Sequence, residues 1–154
     1  MDKKRWIWYG ILAVAAVFFV WMMWPRSLAK AFDAEEFAGM VIVSSVDHGV
    51  SSQNVLQYYA EPGSEAAEKA TERLEGEYYH LCLDTLVGSN GIDNIGAYHV
   101  SLDSTEGSLQ VFSGTKKIFV DHDVVRLGYL GHARAKALCD DLIDILEEYA
   151  TPIE

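Results

Sequence analysis

Of the five histidines in the chain, His122 stands between two carboxylates in Asp121-His122-Asp123, and His48 follows Asp47 in a second short polar segment. Imidazole beside carboxylate is the pairing that coordinates zinc or manganese, or that tunes a general base near neutral pH. Neighbours on an extended chain point to opposite sides, however, so adjacency in sequence does not by itself assemble a site. His48, Asp121, His122 and Asp123 form the candidate polar cluster, with solvated turns as the simpler reading. His-Glu-x-x-His spacing is absent, and no metal, cofactor or catalytic residue is assigned.

Two cysteines come next. Cys82 lies in a β-rich stretch and Cys139 on the apolar side of the last helical stretch. In an oxidising compartment they are able to pair and close a loop of about 57 residues, worth a few kcal/mol through chain entropy. The competing reading is two buried thiols acting as small hydrophobes. Their separation excludes a redox Cys-x-x-Cys motif. There is no Gly-x-Ser-x-Gly elbow, no Gly-x-x-x-x-Gly-Lys phosphate loop and no Gly-x-Gly-x-x-Gly fingerprint. Those absences weaken an enzymatic reading.

Acidic side chains are the largest polar feature. Asp140, Asp141, Asp144, Glu147 and Glu148 crowd one side of the terminal helical segment, and Glu65, Glu68, Glu72 and Glu75 line an earlier one. Such faces suit a basic peptide or another cationic partner, or they are simply solvated. The Asp-x-Asp-x-Asp-Gly pattern of a calcium hand is missing.

Stepping outward from these residues, the 154-residue chain carries 12 Lys+Arg and 23 Asp+Glu. Lys3, Lys4, Arg5, Arg26 and Lys30, with Asp2 as the single acid, lie at or before residue 30. The remainder therefore holds 7 basic and 22 acidic residues, a formal charge of −15. A body this negative repels phosphate backbones and anionic lipid surfaces, which excludes nucleic acid as the expected partner.

Trp6 to Trp24 contains no charged residue. A helix of that length covers nearly ~30 Å, the thickness of a bilayer's hydrocarbon core. Trp6, Trp8 and Tyr9 mark one end and Trp21 and Trp24 the other, as two aromatic belts would. Lys3, Lys4 and Arg5 outweigh Arg26 and Lys30, so the positive-inside rule puts the N-terminus in the cytoplasm and the domain outside. Ala29-Lys30-Ala31 has the small-x-small form of a signal-peptidase site. The length of the apolar run and its flanking tryptophans favour an uncleaved signal-anchor instead.

The expected organisation is a cytoplasmic tail (1–5), a transmembrane anchor (6–24), a short polar connector (25–32) and an extracytoplasmic acidic domain (33–154). Within the domain, Asp33-Ala-Glu-Glu36 predicts a helical turn over 34–39, and Met40 to Val46 and residues 53–59 read as strands. Ser64 caps a helix over Glu65 to Glu75. Glu77 to Val87 alternates as one strand, with Tyr79, Leu81 and Leu83 on one side. Ala97 to Leu102, Leu109 to Phe112, Lys117 to Val120 and Val124 to Leu130 read as a meander joined by tight turns. Ala135, Leu138, Cys139, Leu142, Ile145, Leu146 and Tyr149 mark an apolar helical stripe. The fold class is thus α+β: an antiparallel sheet packed on two helices, its other face partly wet.

Three functions fit this layout. The first is a membrane-anchored binding or regulatory module acting through protein contacts at the cell envelope. The second is a structural subunit of a membrane complex that uses its Trp-rich helix. The third is a small envelope hydrolase with a dispersed His/Asp site.

Overall fold

The computed structural model describes residues 3–31, 39–45, 54–88, 96, 98–104, 107–129 and 133–153. The first element is helix α1 (Lys3–Met23). Its Lys4–Met23 span has a mean hydropathy of 2.0 and no buried side chain, and among the described residues it is the one helix long and apolar enough to cross a membrane. At its C-terminal end the Arg26 guanidinium donates to the carbonyls of Trp21 and Trp24, both at 3.3 Å, and lies 5.4 Å from the centre of the Trp21 ring. A cation there satisfies carbonyls that the helix leaves open.

The connector is not a bare link. Arg26–Ser27 forms a short strand, β1, and Leu28–Ala31 a single helical turn, α2. Leu28 is fully buried and joins the domain core. This corrects the expectation of a polar connection: one leucine after β1 is enough to draw the segment into the fold.

The remaining elements are β2 (Gly39–Ser45), β3 (Asn54–Ala60), α3 (Glu65–Glu75), β4 (Tyr78–Leu81), α4 (Leu83–Val87), β5 (Tyr98–Asp103), β6 (Ser108–Phe112), β7 (Lys117–Val120), β8 (Asp123–Leu127), α5 (Ala133–Tyr149) and β9 (Thr151–Ile153). The strands form one sheet in the order β1-β4-β8-β7-β6-β5-β2-β3-β9, and every pairing is antiparallel. The fold is α+β, as the sequence suggests. Of the turn expected over 34–39, residues 34–38 lie outside the described residues, and Gly39 already opens β2.

Alternation decides what each face carries. Val100, Leu102, Leu109, Val111, Ile118, Val120, Val125 and Leu127 point to one side. There they share a core with Ala66, Ala67, Ala70 and Leu74 of α3 and Ala135, Leu138, Cys139, Leu142 and Leu146 of α5. The cap on α3 is as expected: Ser64 Oγ accepts from the Ala67 N–H at 3.4 Å. Burying nine large aliphatic side chains completely supplies most of the drive to fold, at ~1.5–3 kcal/mol each.

The expected long strand over Glu77 to Val87 is corrected. Strand β4 stops at Leu81, and α4 begins after Cys82. Thr85 Oγ1 accepts from the Cys82 N–H at 3.1 Å, a local cap that competes with the ladder. Gly88, at φ +64°, then ends the turn in the left-handed region. Leu83, counted on the core side by alternation, is 70% exposed as a result.

Candidate functional site

The Asp121-His122-Asp123 segment is the turn between β7 and β8. Asp121 (φ 49°) and His122 (φ 76°) are the two central residues of a two-residue hairpin, with Val120 paired to Asp123. That geometry requires positive φ at both positions. The Asp121 carboxylate accepts from the Ser108 N–H at 3.1 Å, and a Cβ on Gly107 would collide with it. Asp121 is thus committed to joining two turns. His122 and Asp123 are exposed. His48 lies outside the described residues. Among the described residues no group of three His, Cys, Asp or Glu side chains converges as a metal site would.

Both thiols are free and buried in this structure. Cys139 Sγ lies 3.2 Å from the Val111 carbonyl on the helix-covered side of the sheet. Burial pushes its pKa up to about 12, leaving an inert thiol. Cys82 Sγ is 3.4 Å from the Val124 carbonyl, two strands away from β6. Each thiol packs as a small hydrophobe at its own address.

The acidic face of α5 divides in two. Asp141 accepts from Arg73 Nε at 2.6 Å, and Asp140 accepts from Lys136 at 2.6 Å and from the Tyr98 hydroxyl. Those last two donors hold the Asp140 carboxyl below its usual range, the Lys136 hydrogen bond being the larger cause. Asp144, Glu147 and Glu148 remain exposed. Beside Glu148 an open groove of ≈ 460 Å³ runs between α3 and α5, lined by Lys69, Glu72, Arg73, Ile145, Glu148 and Tyr149. Lys69 pairs with Glu65 at 3.9 Å and sits 4.8 Å from the Tyr149 ring centre.

The most deeply paired charge is one the sequence did not single out. Glu77 is 3% exposed. Its two oxygens accept from Arg73 Nη1 at 2.8 Å and Arg134 Nε at 2.6 Å, while its backbone carbonyl accepts from the Leu28 N–H at 3.0 Å. The Glu77 carboxylate therefore ties the end of α3 to the start of α5, and its backbone carbonyl adds the connector. A buried carboxylate needs this degree of partnering. Only the i,i+4 spacing of Arg73 and Glu77 hinted at it; Arg134 is 57 residues away.

On the opposite side of the sheet lie His80, Arg126, Lys117, Phe119, Phe112 and His99. His80 is buried and stacks on Tyr129, with ring centres 5.0 Å apart and planes 10° apart. Burial, then Arg126 and Lys116, lowers its pKa, so the imidazole is neutral at pH 7. The Tyr129 hydroxyl donates to the Met23 carbonyl at 2.5 Å, joining the end of α1 to this face. Helix α4 lies over the same corner through an ion pair between Asp84 and Lys117 at 2.9 Å. That contact is the main cause lowering the Asp84 carboxyl's pKa. Nothing in this arrangement lines up a nucleophile, a base and an acid.

No family model, curated protein or solved structure matches the chain, so the molecule's own geometry carries the functional reading.

Proposed function

We propose that the protein is a membrane-anchored binding or regulatory module, with its N-terminus in the cytoplasm and its acidic domain outside, acting through protein contacts at the cell envelope. The observation that carries this reading is the joint between helix and domain. An apolar helix exposed along its length passes into the fold through Arg26, β1, buried Leu28 and the Tyr129–Met23 hydrogen bond. A domain joined that way keeps its orientation to the helix, which suits presenting one face to a partner in the same membrane.

The face best suited to a protein partner is the groove between α3 and α5. Ile145 and Tyr149 offer apolar contact there, and Glu72 and Glu148 on its lining favour a basic segment. The test is in-cell crosslinking of the full chain beside an anchor-only version. Capture of a specific envelope protein by the full chain alone, lost on combining Glu72→Lys with Glu148→Lys, is the expected result.

A second reading has one observation of its own. The surface of α1 is indented around Gly10, between Ile7, Ile11, Val14, Ala15 and Phe18, a shape that accepts another helix. Capture by the anchor alone would favour that reading, a structural subunit of a membrane complex. Replacing α1 with a foreign membrane helix separates the two, because only the module tolerates the exchange.

A further inference from the structure

Charge is unevenly spread over the acidic domain. Of its seven basic residues, Lys116, Lys117 and Arg126 lie where β7, β8 and β4 meet, and the carboxylates of Asp84, Asp121 and Asp123 stand beside them. Lys117 is matched by Asp84, but Arg126 has a buried Nε without a hydrogen-bond partner. An unpaired guanidinium nitrogen is a costly group to bury, and an incoming anion relieves the guanidinium's charge.

Beside these mixed charges, α4 turns three apolar side chains outward: Leu83, Leu86 and Val87 are 70%, 43% and 74% exposed. In a five-residue helix that also buries nothing, three such side chains leave an uncovered apolar surface. The end of α1 fixes what lies nearby. Tyr129 touches both His80 and Met23, and β4 runs antiparallel to β1 with Tyr79 beside Arg26, so the chain from His80 to Leu83 heads back toward the end of α1. Those three residues cover about 10 Å of extended chain. Trp21, Trp24, Tyr78 and Tyr129 are all exposed around the same end of α1, and aromatic rings of this kind settle at headgroup depth.

We propose that the corner formed by α4, β4 and β8 is seated on the membrane that α1 enters, with Leu83, Leu86 and Val87 among the upper acyl chains and the Arg126 guanidinium beside lipid phosphates. The inference rests on the reading that α1 spans a membrane. It adds that the domain lies against the lipid on one defined side, leaving the α3–α5 groove on the opposite face of the sheet for a partner. Apolar anchoring and basic contacts reinforce each other at such surfaces.

The test uses the full chain in vesicles of phosphatidylcholine with or without phosphatidylglycerol. Cys82 and Cys139 are buried, so a Val87→Cys variant accepts an environment-sensitive fluorophore selectively. All four tryptophans lie at Trp6, Trp8, Trp21 and Trp24, so their quenching by brominated lipid reports on α1 independently. The expected result is quenched tryptophans together with a blue-shifted label that lipid-borne quenchers reach and aqueous iodide does not. Leu83→Ser should lower the lipid-facing population roughly tenfold in either vesicle, the value of one leucine returned to water. Quenched tryptophans with a label that stays water-exposed would overturn the seating while leaving the anchor intact. Unquenched tryptophans would remove the spanning reading and the seating with it.

Discussion

On the side covered by α3 and α5, the strands place Val100, Leu102, Leu109, Val111, Ile118 and Leu127 against leucines and alanines, and all are buried. On the other side the same strands carry His80, His99, Lys117 and Arg126 among Phe112, Phe119 and Val124. The first side is a packing surface whose charges stand only at its border, where Glu77 binds two arginines. The second mixes rings with cations and meets the end of α1 through Tyr129. Stability is therefore concentrated on one face, and the contacts that orient the domain to its helix on the other.

Substitutions can break that contrast. The largest loss should come from Leu142→Ala, which empties a fully buried position under α5: about 3 kcal/mol, read from the denaturation midpoint of the detergent-solubilised chain. Phe119→Ala, on the half-buried opposite face, should cost clearly less. Equal losses would mean that the two faces share the work of folding.

Glu77→Ala should follow at about 2–3 kcal/mol, because two arginines lose their carboxylate at the meeting of α3, α5 and Leu28. The arginines are partly exposed, which keeps the loss below that of a fully buried pair. A melting temperature unchanged in Glu77→Ala would reduce the clamp to a surface feature.

The opposite face should reveal itself through pH. The folded pKa of His80 lies below its ordinary 6.5, so the unfolded chain binds the proton more readily. Stability from a neutral His80 is complete above about 6.5 and is lost as pH falls from there toward the folded pKa. A His80→Gln variant should show a flatter stability profile across that window when followed by thermal melts. A profile identical to the parent would place the acid sensitivity elsewhere.

The smallest effect is a gain. His122→Gly relieves a non-glycine residue at φ 76° and should stabilise the β7–β8 hairpin by about 1 kcal/mol. Loss of an in-cell phenotype in a better-folded His122→Gly protein would return the imidazole to the list of functional groups.

Local signals in the sequence were read well. Ser64 and the helix formers after it specify α3, and the stripe from Ala135 to Leu146 specifies the buried side of α5. Turn residues bracket β5 to β8 closely. What escaped depends on contacts distant in the chain. Strands β1 and β9 form by adding short segments to β4 and β3, and neither has an alternating pattern of its own. Leu83 fitted the alternation of a strand, but the Cys82–Thr85 cap diverted the chain first. The acidic count over α5 likewise concealed two residues, Asp140 and Asp141, already matched by Lys136 and Arg73. Glu77 was invisible as a clamp because half of its partnership comes from Arg134.

The central claim, an anchored protein whose domain stands outside, is tested most directly in right-side-out membrane vesicles carrying an N-terminal epitope. The expected result is a protein that resists alkaline extraction, with its domain digested by added protease and its epitope protected. A domain cleaved only after the vesicles are opened, or a protein released by alkali, would contradict it.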